Sequence, residues 1–425
     1  MPPIRFIHAA DLHLDAAFSG LSRDIPADFA ERLRTATFTA FRRLLDLCER
    51  ESPDFLLLAG DVYNQEDASV SAQLALRDGF RRLESLSIPV FLVHGNHDPL
   101  ASRLRSVRWP GNVTVFGELP DAVPVFRKGE GTPLAIIHGA SHASGRETRN
   151  LAALFRRTEA CGLHVGLLHA TPGDADGVAR YAPFSQGDLK ASGMDYWALG
   201  HIHDRREVCR EPLAAYPGCT QGLHINEPGE KGCLLVTAEA RTDGGDAVRT
   251  SFRPLGPAVW KTLDMDLGGA ASLDELENRL RTGLDRAAAE VWSGCEMLLV
   301  RLRLQGRTEL DGLLRKGTTC AELADRLRED GSGVPRIWIK DIDVATRPCV
   351  ERGALLERED LLGEVFRLSE AARTASGLQA LREGPLAPLF AHARAGKALE
   401  PLTDEELARL LDDAESLCLD LLEND

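Results

Sequence analysis

The side chains of this 425-residue sequence that could do chemistry fall into five short groups. They are Asp11-Leu12-His13, Gly60-Asp61, Gly95-Asn96-His97-Asp98, His169 and Gly200-His201-Ile202-His203. Carboxylate, amide oxygen and imidazole together form a borderline-hard donor set that suits manganese, iron or zinc. Magnesium and calcium favour oxygen alone, and no group contains a thiol. Asp11, His13, Asp61, Asn96, His169, His201 and His203 are too many donors for one six-coordinate ion that must also leave room for water and substrate. Two ions can use them all if one carboxylate bridges a separation of about 3.5–4 Å, as in two-metal hydrolytic sites. Asp61, alone after its glycine, is the natural bridge. One D-x-H or one H-x-H is more often hydrogen-bonded structure than a ligand pair. Five such pieces, each at the end of an apolar run, point to one site.

Pieces so far apart in sequence meet only if the fold gathers them. Residues 4–9 are a short apolar run of β-formers that ends just before Asp11 and His13. Helical spacing from 28 to 50, through Phe29, Leu33, Ala36, Ala40, Leu44, Leu47 and Cys48, leads to the apolar run 53–59 and then to Gly60-Asp61. A helix over 69–86 leads through Pro89 to the run 90–93, which ends on the group containing Asn96 and His97. This strand–helix alternation predicts a mostly parallel sheet covered on both faces. Its right-handed crossovers place the C-terminal strand ends along one edge, where α/β proteins build sites. From about residue 113 the runs shorten, at 113–116, 134–137, 164–168 and 196–199. The third of these ends on His169 and the fourth on Gly200-His201-Ile202-His203, and residues 214–218 and 232–236 read as the last strands.

Arg253-Pro254-Leu255-Gly256-Pro257 punctuates the chain and changes its grammar. Strands 259–266, 296–304 and 335–343 with helices 272–290 and 319–329 make a small α+β unit, closed by Thr346-Arg347-Pro348. The expected domains are therefore 1–254, 255–348 and a helical 349–425. The last helix starts at Thr403, with Glu406 as its capping-box partner, and carries the stripe Leu407, Leu410, Leu411, Ala414, Leu417, Cys418 and Leu421. Nine cysteines, odd in number and with no CxxC pair, predict reduced, packed thiols rather than a disulfide framework or structural zinc. The absence of any long apolar stretch or leader-like N-terminus predicts a cytoplasmic protein with no membrane span. The net charge of −15 means that any nucleic acid must be gripped by local patches, by metals or by a partner.

The order D-x-H, G-D, G-N-H-D, H and G-H-x-H resembles that of the calcineurin-like metallophosphoesterases. Ile7-His8-Ala9-Ala10-Asp11-Leu12-His13-Leu14-Asp15 narrows the resemblance to SbcD/YhaO-like DNA repair nucleases. The resemblance implies an α/β fold: a β-sandwich flanked by helices, then a small α+β capping domain and a helical C-terminal segment. It further implies DNA as substrate, a homodimer, an SMC-like ATPase partner of the SbcC/YhaN kind, and two divalent ions, usually manganese, with iron or zinc as alternatives. One ion would be held by Asp11, His13, Asp61 and His203, and the other by Asp61, Asn96, His169 and His201. His97 matches the family's catalytic histidine, placed to protonate or stabilise the departing oxygen.

The sequence departs from this pattern at Asn64, where many relatives carry Asp and some His behind the catalytic histidine. An amide accepts a hydrogen bond but supplies no negative charge, so Asp67 or Asp98 would have to substitute, and full metal binding with modest turnover is expected. His94, His138 and His142 are candidates for groups around the site. Arg103, Arg105, Arg108 and Trp109, with Arg205 and Arg206, are candidates for contacts to phosphates and bases. Three functions compete: a DNA exo- and endonuclease, a phosphoesterase of nucleotides or other small phosphodiesters, and a non-catalytic scaffold for an ATPase. The last predicts gaps among the metal-type residues, and the sequence has none.

Overall fold

A computed structural model describes residues 3–21, 25–64, 69–101, 107–173, 180–240, 246–329, 333–349, 352–391 and 402–422. The chain divides into two compact units: residues 1–266, 276–304 and 314–345 form one, and residues 267–275, 305–313 and 346–425 the other.

The first unit is built on two six-stranded sheets. Strands β1 (Ile4–Ala9), β2 (Phe55–Ala59), β3 (Val90–Val93) and β4 (Val113–Val115) run parallel as neighbours in the first sheet. Helices α1 (Ala27–Arg34) and α2 (Ala36–Glu51) connect β1 to β2, and α3 (Val70–Ser85) connects β2 to β3. The second sheet contains β5 (Asp121–Val125), β6 (Ala135–Ala140), β7 (Leu163–His169), β8 (Tyr196–Gly200), β9 (Arg206–Arg210) and β10 (Leu213–Tyr216), with the short helix α4 (Gln186–Ala191) leading into β8. Its order is β5-β6-β7-β8-β10-β9, parallel except at the two edges. Strands β11 (Gly232–Ala240) and β12 (Asp246–Pro254) return to the first sheet, β11 pairing antiparallel with β1.

The alternation along β2 shows why its run is apolar throughout. Phe55, Leu57 and Ala59 face the space between the sheets with Phe6, Phe91, Val165, Leu167 and Ala198. Leu56 and Leu58 face Phe41, Leu44, Leu76 and Phe80, the apolar sides of α2 and α3. Both faces are buried, so both must be apolar, and each such side chain contributes about 1.5–3 kcal/mol when removed from water. On the outer face of the second sheet, Trp197 and Leu199 pack with Leu151, Phe155, Leu189 and Met194.

Two expectations change here. The single helix over 28–50 is two, broken at Thr35. Phe29, Leu33 and Ala36 pack on Trp260, Leu299 and Trp338 of a separate three-stranded sheet, whereas the rest of α2 packs on β1 and β2, and one straight helix could not serve both. The mostly parallel sheet is instead a pair of mixed sheets. Their antiparallel edge strands β5, β9 and β12 mix polar and apolar residues and lack the continuous apolar runs by which buried strands are read.

The three-stranded sheet has the order β13 (Ala258–Asp266), β14 (Met297–Thr308), β15 (Arg336–Pro348), with helices α5 (Leu273–Glu290), α6 (Asp311–Leu314) and α7 (Thr319–Glu329) between its strands. In the second unit, helices α8 (Arg352–Leu356), α9 (Leu361–Ala372), α10 (Ala375–Glu383), α11 (Ala387–Ala391) and α12 (Asp404–Leu422) succeed one another. Leu355, Leu362, Phe366 and Leu419 form their core, and Arg352 grips Glu415 through both guanidinium nitrogens at 2.6 and 2.8 Å. The capping box at Thr403 and Glu406 forms as expected. The stripe on α12 does not bury as a unit: Leu407 is enclosed, while Leu410, Leu417 and Leu421 are exposed. All nine cysteines are free thiols, and among the described residues no helix is long and apolar enough to cross a membrane.

Candidate metal centre

Two strand-end loops are laced together before any side chain is placed. The N–H groups of Asp11, His13 and Leu14 donate to the carbonyls of Gly60, Asp61 and Val62 at 3.0–3.1 Å, so the segments after β1 and β2 run as one ladder. Asp11, His13 and Asp61 adopt left-handed backbone conformations (φ 50°, 40° and 49°), and His201 has φ 105°. Such conformations cost about 1–3 kcal/mol each for residues with a Cβ, and the surrounding hydrogen bonds hold them. Glycine is required where the loops touch. A Cβ on Gly95 would lie 2.2 Å from Asp61 Oδ1, and one on Gly200 would lie 1.8 Å from the Ala59 carbonyl oxygen.

The side chains converge as two groups. Donor atoms of Asp11, His13 and His203 lie within 4.8 Å of one another, and so do those of Asp61, His169 and His201. Asn96 Oδ1 joins the second group, 3.0 Å from His169 Nε2 and 3.1 Å from His201 Nδ1. Nε2 of His13 faces Nε2 of His203 at 3.2 Å, and Asp61 Oδ2 lies 3.3 Å from His169 Nε2. Asp61 is the strongest charge acting on both His13 and His169, so its carboxylate acts on a residue of each group.

Hydrogen bonds on the far side of each ring fix which nitrogen faces inward. His13 Nδ1 donates to Asn64 Oδ1 at 2.7 Å, His169 Nδ1 to the Ala59 carbonyl at 2.9 Å, and His203 Nδ1 to the Glu227 carboxylate. Each leaves Nε2 as the nitrogen aimed at the centre, the arrangement that orients histidine ligands in metal sites. Around one ion with bonds near 2.1 Å, neighbouring ligand atoms are separated by about 3.0–3.5 Å, so the spacings observed fit divalent cations.

Electrostatics agree. Burial alone would lower His169, but the Asp61 carboxylate and then Asp11 outweigh it and push it up to about 9. Asp61 is held well below the usual carboxylate range: burial would raise it, but the histidines, His169 foremost, prevail. Burial pushes Asp11 up and His13 down. Glu227, buried but bonded to His203, is held at about 2. Sites that bind protons this firmly at their nitrogens, next to two buried carboxylates, attract cations.

The remaining candidates fall into place differently. His97 is exposed, its backbone N–H donating to Asp61 Oδ1 at 2.9 Å and its ring edge-on to His13 with centroids 5.2 Å apart. Asn64 meets His13 rather than His97: its side-chain oxygen accepts from His13 Nδ1 at 2.7 Å. Asp98 does not serve His97 either, because its fully buried carboxylate accepts the N–H groups of Val62 and Gly95, at 3.0 and 2.7 Å, and so clamps the two loops. His142 supports the centre from behind through the His169 carbonyl at 2.6 Å, whereas His138 pairs with His164 away from it. Trp109 is no open stacking platform: it packs edge-on against Phe80 and lines a cavity of about 390 Å³ with Tyr63, His94 and Leu100. Arg108 is exposed, Arg205 lies over the Phe252 ring, and Arg103, Arg105 and Asp67 fall outside the described residues.

Glu227 is the functional residue that the sequence pattern missed. It follows no strand, so nothing in periodicity marks it; only the loop 217–231, folding back under His203, brings it there. Cys219 approaches the same pair, but burial pushes its thiol far up, which keeps it neutral.

Residues 4–205 match the family of calcineurin-like phosphoesterases, and residues 260–347 match the middle domain of metallophosphoesterase YhaO. The chain is 34% identical over 388 residues to the metallophosphoesterase YhaO of Bacillus subtilis (strain 168), covering 90% of this chain and 91% of that protein. The chain belongs to the calcineurin-like metallophosphoesterases. As such it is a metal-dependent phosphoester hydrolase, and its metallophosphoesterase fold implies divalent metal ions at the donor groups described above. It is also 28% identical over 322 residues to a DNA double-strand break repair protein Mre11 of Aeropyrum pernix, covering 68% of this chain and 69% of that protein. The Mre11 of Haloferax volcanii is 23% identical over 390 residues, 87% of this metallophosphoesterase and 78% of that protein.

Proposed function

We propose that this metallophosphoesterase is a two-metal phosphodiesterase that cleaves DNA as an exo- and endonuclease in DNA repair, working as a homodimer with an SMC-like ATPase. The observation that carries the catalytic part is the pair of donor groups, with the Asp61 charge acting on both, and an exposed histidine, His97, beside His13. Asp11, His13, Asp61 and His203 would hold one ion, and Asp61, Asn96, His169 and His201 the other. Manganese suits this oxygen and imidazole set, as do iron and zinc. When bound, such ions supply Lewis acidity toward phosphoryl oxygens and make water acidic enough to serve as a nucleophile near neutral pH.

The chain's own residues do the rest. His97 stands where a phosphodiester must enter and delivers a proton to the departing oxygen. Asn64, Glu227 and the Ala59 carbonyl keep His13, His203 and His169 in the tautomers that point Nε2 inward. The likeness to proteins named for DNA double-strand break repair supports DNA as substrate and an ATPase partner. A second reading, a phosphoesterase of nucleotides or other small phosphodiesters, needs no extended basic surface, and the net charge of −15 is no handicap to it. Purified protein with Mn²⁺ on labelled duplex and single-stranded DNA, beside Asp61→Ala and His97→Ala, separates them. The proposal expects DNA cleavage lost in both variants; brisk hydrolysis of a small phosphodiester with no cut DNA would establish the second reading.

A further inference from the structure

Immediately after His203 the chain enters β9, the edge strand of the second sheet, and a cavity of about 330 Å³ opens between β9–β10 and β11–β12. Ala215, Leu234 and Thr250 line it, with Arg205, Arg206 and Glu207. The Arg205 guanidinium lies 4.0 Å from the centre of the Phe252 ring, and that of Arg206 lies 5.6 Å from the centre of the Tyr216 ring.

These two arginines differ from most others of the first unit. Arg5, Arg82, Arg127, Arg149 and Arg157 all pair with carboxylates. Among the described residues, neither Arg205 nor Arg206 has a carboxylate within pairing distance, in a chain whose acidic residues outnumber its basic ones by 65 to 50. Of the two acids that flank the pair in sequence, Glu207 lines the same cavity without pairing with either arginine, and Asp204 is engaged elsewhere: the Lys231 ammonium, only 5% exposed, donates to Asp204 Oδ1 at 3.0 Å and to the His203 carbonyl at 3.0 Å. A buried ammonium is costly, and here it fixes the turn that joins the metal-type donor His203 to Arg205. The result is two adjacent guanidinium forks with donors to spare, backed by ring faces, two and three residues past His203.

From this arrangement we infer a subsite for a polynucleotide strand beside the hydrolytic centre. A backbone phosphate next to the scissile one is held by Arg205 and Arg206, and its base stacks on the outer face of the Arg205–Phe252 pair. A guanidinium fork matches phosphate geometry, and a guanidinium already lying on a ring accepts a base on its other face regardless of sequence. The inference rests on the phosphodiesterase reading and sharpens it: a substrate with a single phosphodiester has no second phosphate for these arginines, whereas a strand does.

Two measurements separate the inference from the reading beneath it. The first is the anisotropy of a labelled single-stranded oligonucleotide over a salt series, for the wild type, Arg205→Ala/Arg206→Ala and Arg205→Lys/Arg206→Lys. The alanine pair is expected to weaken binding about tenfold and to reduce the salt slope by about 1–2, while the lysine pair keeps the slope and loses part of the affinity. The second is kcat/KM with Mn²⁺ on the same oligonucleotide and on bis(p-nitrophenyl) phosphate, whose ratio is expected to fall about tenfold in the alanine pair. Unchanged binding and slope in the alanine pair, a wild type that binds no strand, or equal loss on both substrates would each overturn the subsite. A wild type that binds the strand through these arginines but hydrolyses neither substrate would leave the subsite standing and remove the phosphodiesterase reading.

Discussion

Two sets of buried histidines in the first unit behave in opposite ways. His138 Nε2 donates to His164 Nδ1 at 3.0 Å, and His164 Nε2 donates to the Ala160 carbonyl at 2.9 Å, so the pair satisfies itself. Burial, with the His164 ring and Arg157 adding to it, lowers the pKa of His138 to about 4. At the metal centre His169 is just as buried, yet Asp61 and Asp11 raise it to about 9. Burial and residue type are therefore alike, and the buried carboxylates make the difference. His138 and His164 are a neutral core pair, while at the centre His169 and His203 are raised and His13 alone of the three follows burial downward.

Removing the Asp61 carboxylate, whose charge acts on both donor groups, breaks this contrast most completely. Asp61→Ala is expected to reduce Mn²⁺-dependent phosphodiester hydrolysis to background and to drop His169 into the range of His138, read by NMR titration of the imidazole. Retained hydrolysis in that variant would show that the bridge lies elsewhere. Next in size, Glu227→Gln removes the charge behind His203 and should weaken Mn²⁺ binding by about 10–100-fold in calorimetry. An unchanged affinity would make the Glu227 contact merely structural. Asn64→Asp acts on His13 rather than His97. It should tighten metal binding severalfold in calorimetry while leaving kcat within about twofold, and a much higher kcat would restore the link to His97.

The smallest effects are those of pH, and they run in opposite directions in the two sets. His138 has a folded-state pKa of about 4, below the ordinary 6.5, so between these values the unfolded chain binds the extra proton. Its contribution to stability is present above pH 6.5 and is lost as pH falls toward 4, at about 1.4 kcal/mol per unit of pH. His8, lowered to about 3 by burial between Tyr196 and the Leu199 carbonyl, adds to the same loss. His169, raised to about 9, stabilises the metal-free protein below pH 6.5 and loses that contribution as pH rises through about 9. Because a metal must displace the same proton, Mn²⁺ affinity should climb with pH up to that value. Chemical denaturation of metal-free protein across pH 4–9, and calorimetry across the upper part of that range, read the two trends; parallel trends would contradict the contrast.

Much of the centre was legible in the sequence because α/β topology makes strand ends the places where donors gather. Asp11, His13, Asp61, Asn96, His169, His201 and His203 each follow or end an apolar run, and they converge. The hydrogen bonds behind them were not legible. Glu227 sits in an irregular loop, and Asn64 pairs with a residue 51 positions away, a choice that depends on the left-handed turns at His13 and Asp61. In the scaffold, fully buried strands announced themselves, while β5, β9 and β12 did not, since an edge strand has no need to be apolar on both faces. The break at Thr35 was hidden because its cause, a separate sheet contributing Trp260 and Trp338, lies more than two hundred residues downstream.

The central claim is that Asp61 stands between two ions. Electron paramagnetic resonance of the protein titrated with Mn²⁺ tests it most directly. Two equivalents should bind and give the spectrum of an exchange-coupled pair, and Asp61→Asn should abolish the coupling. One bound ion, or two with uncoupled six-line spectra in the wild type, would contradict it.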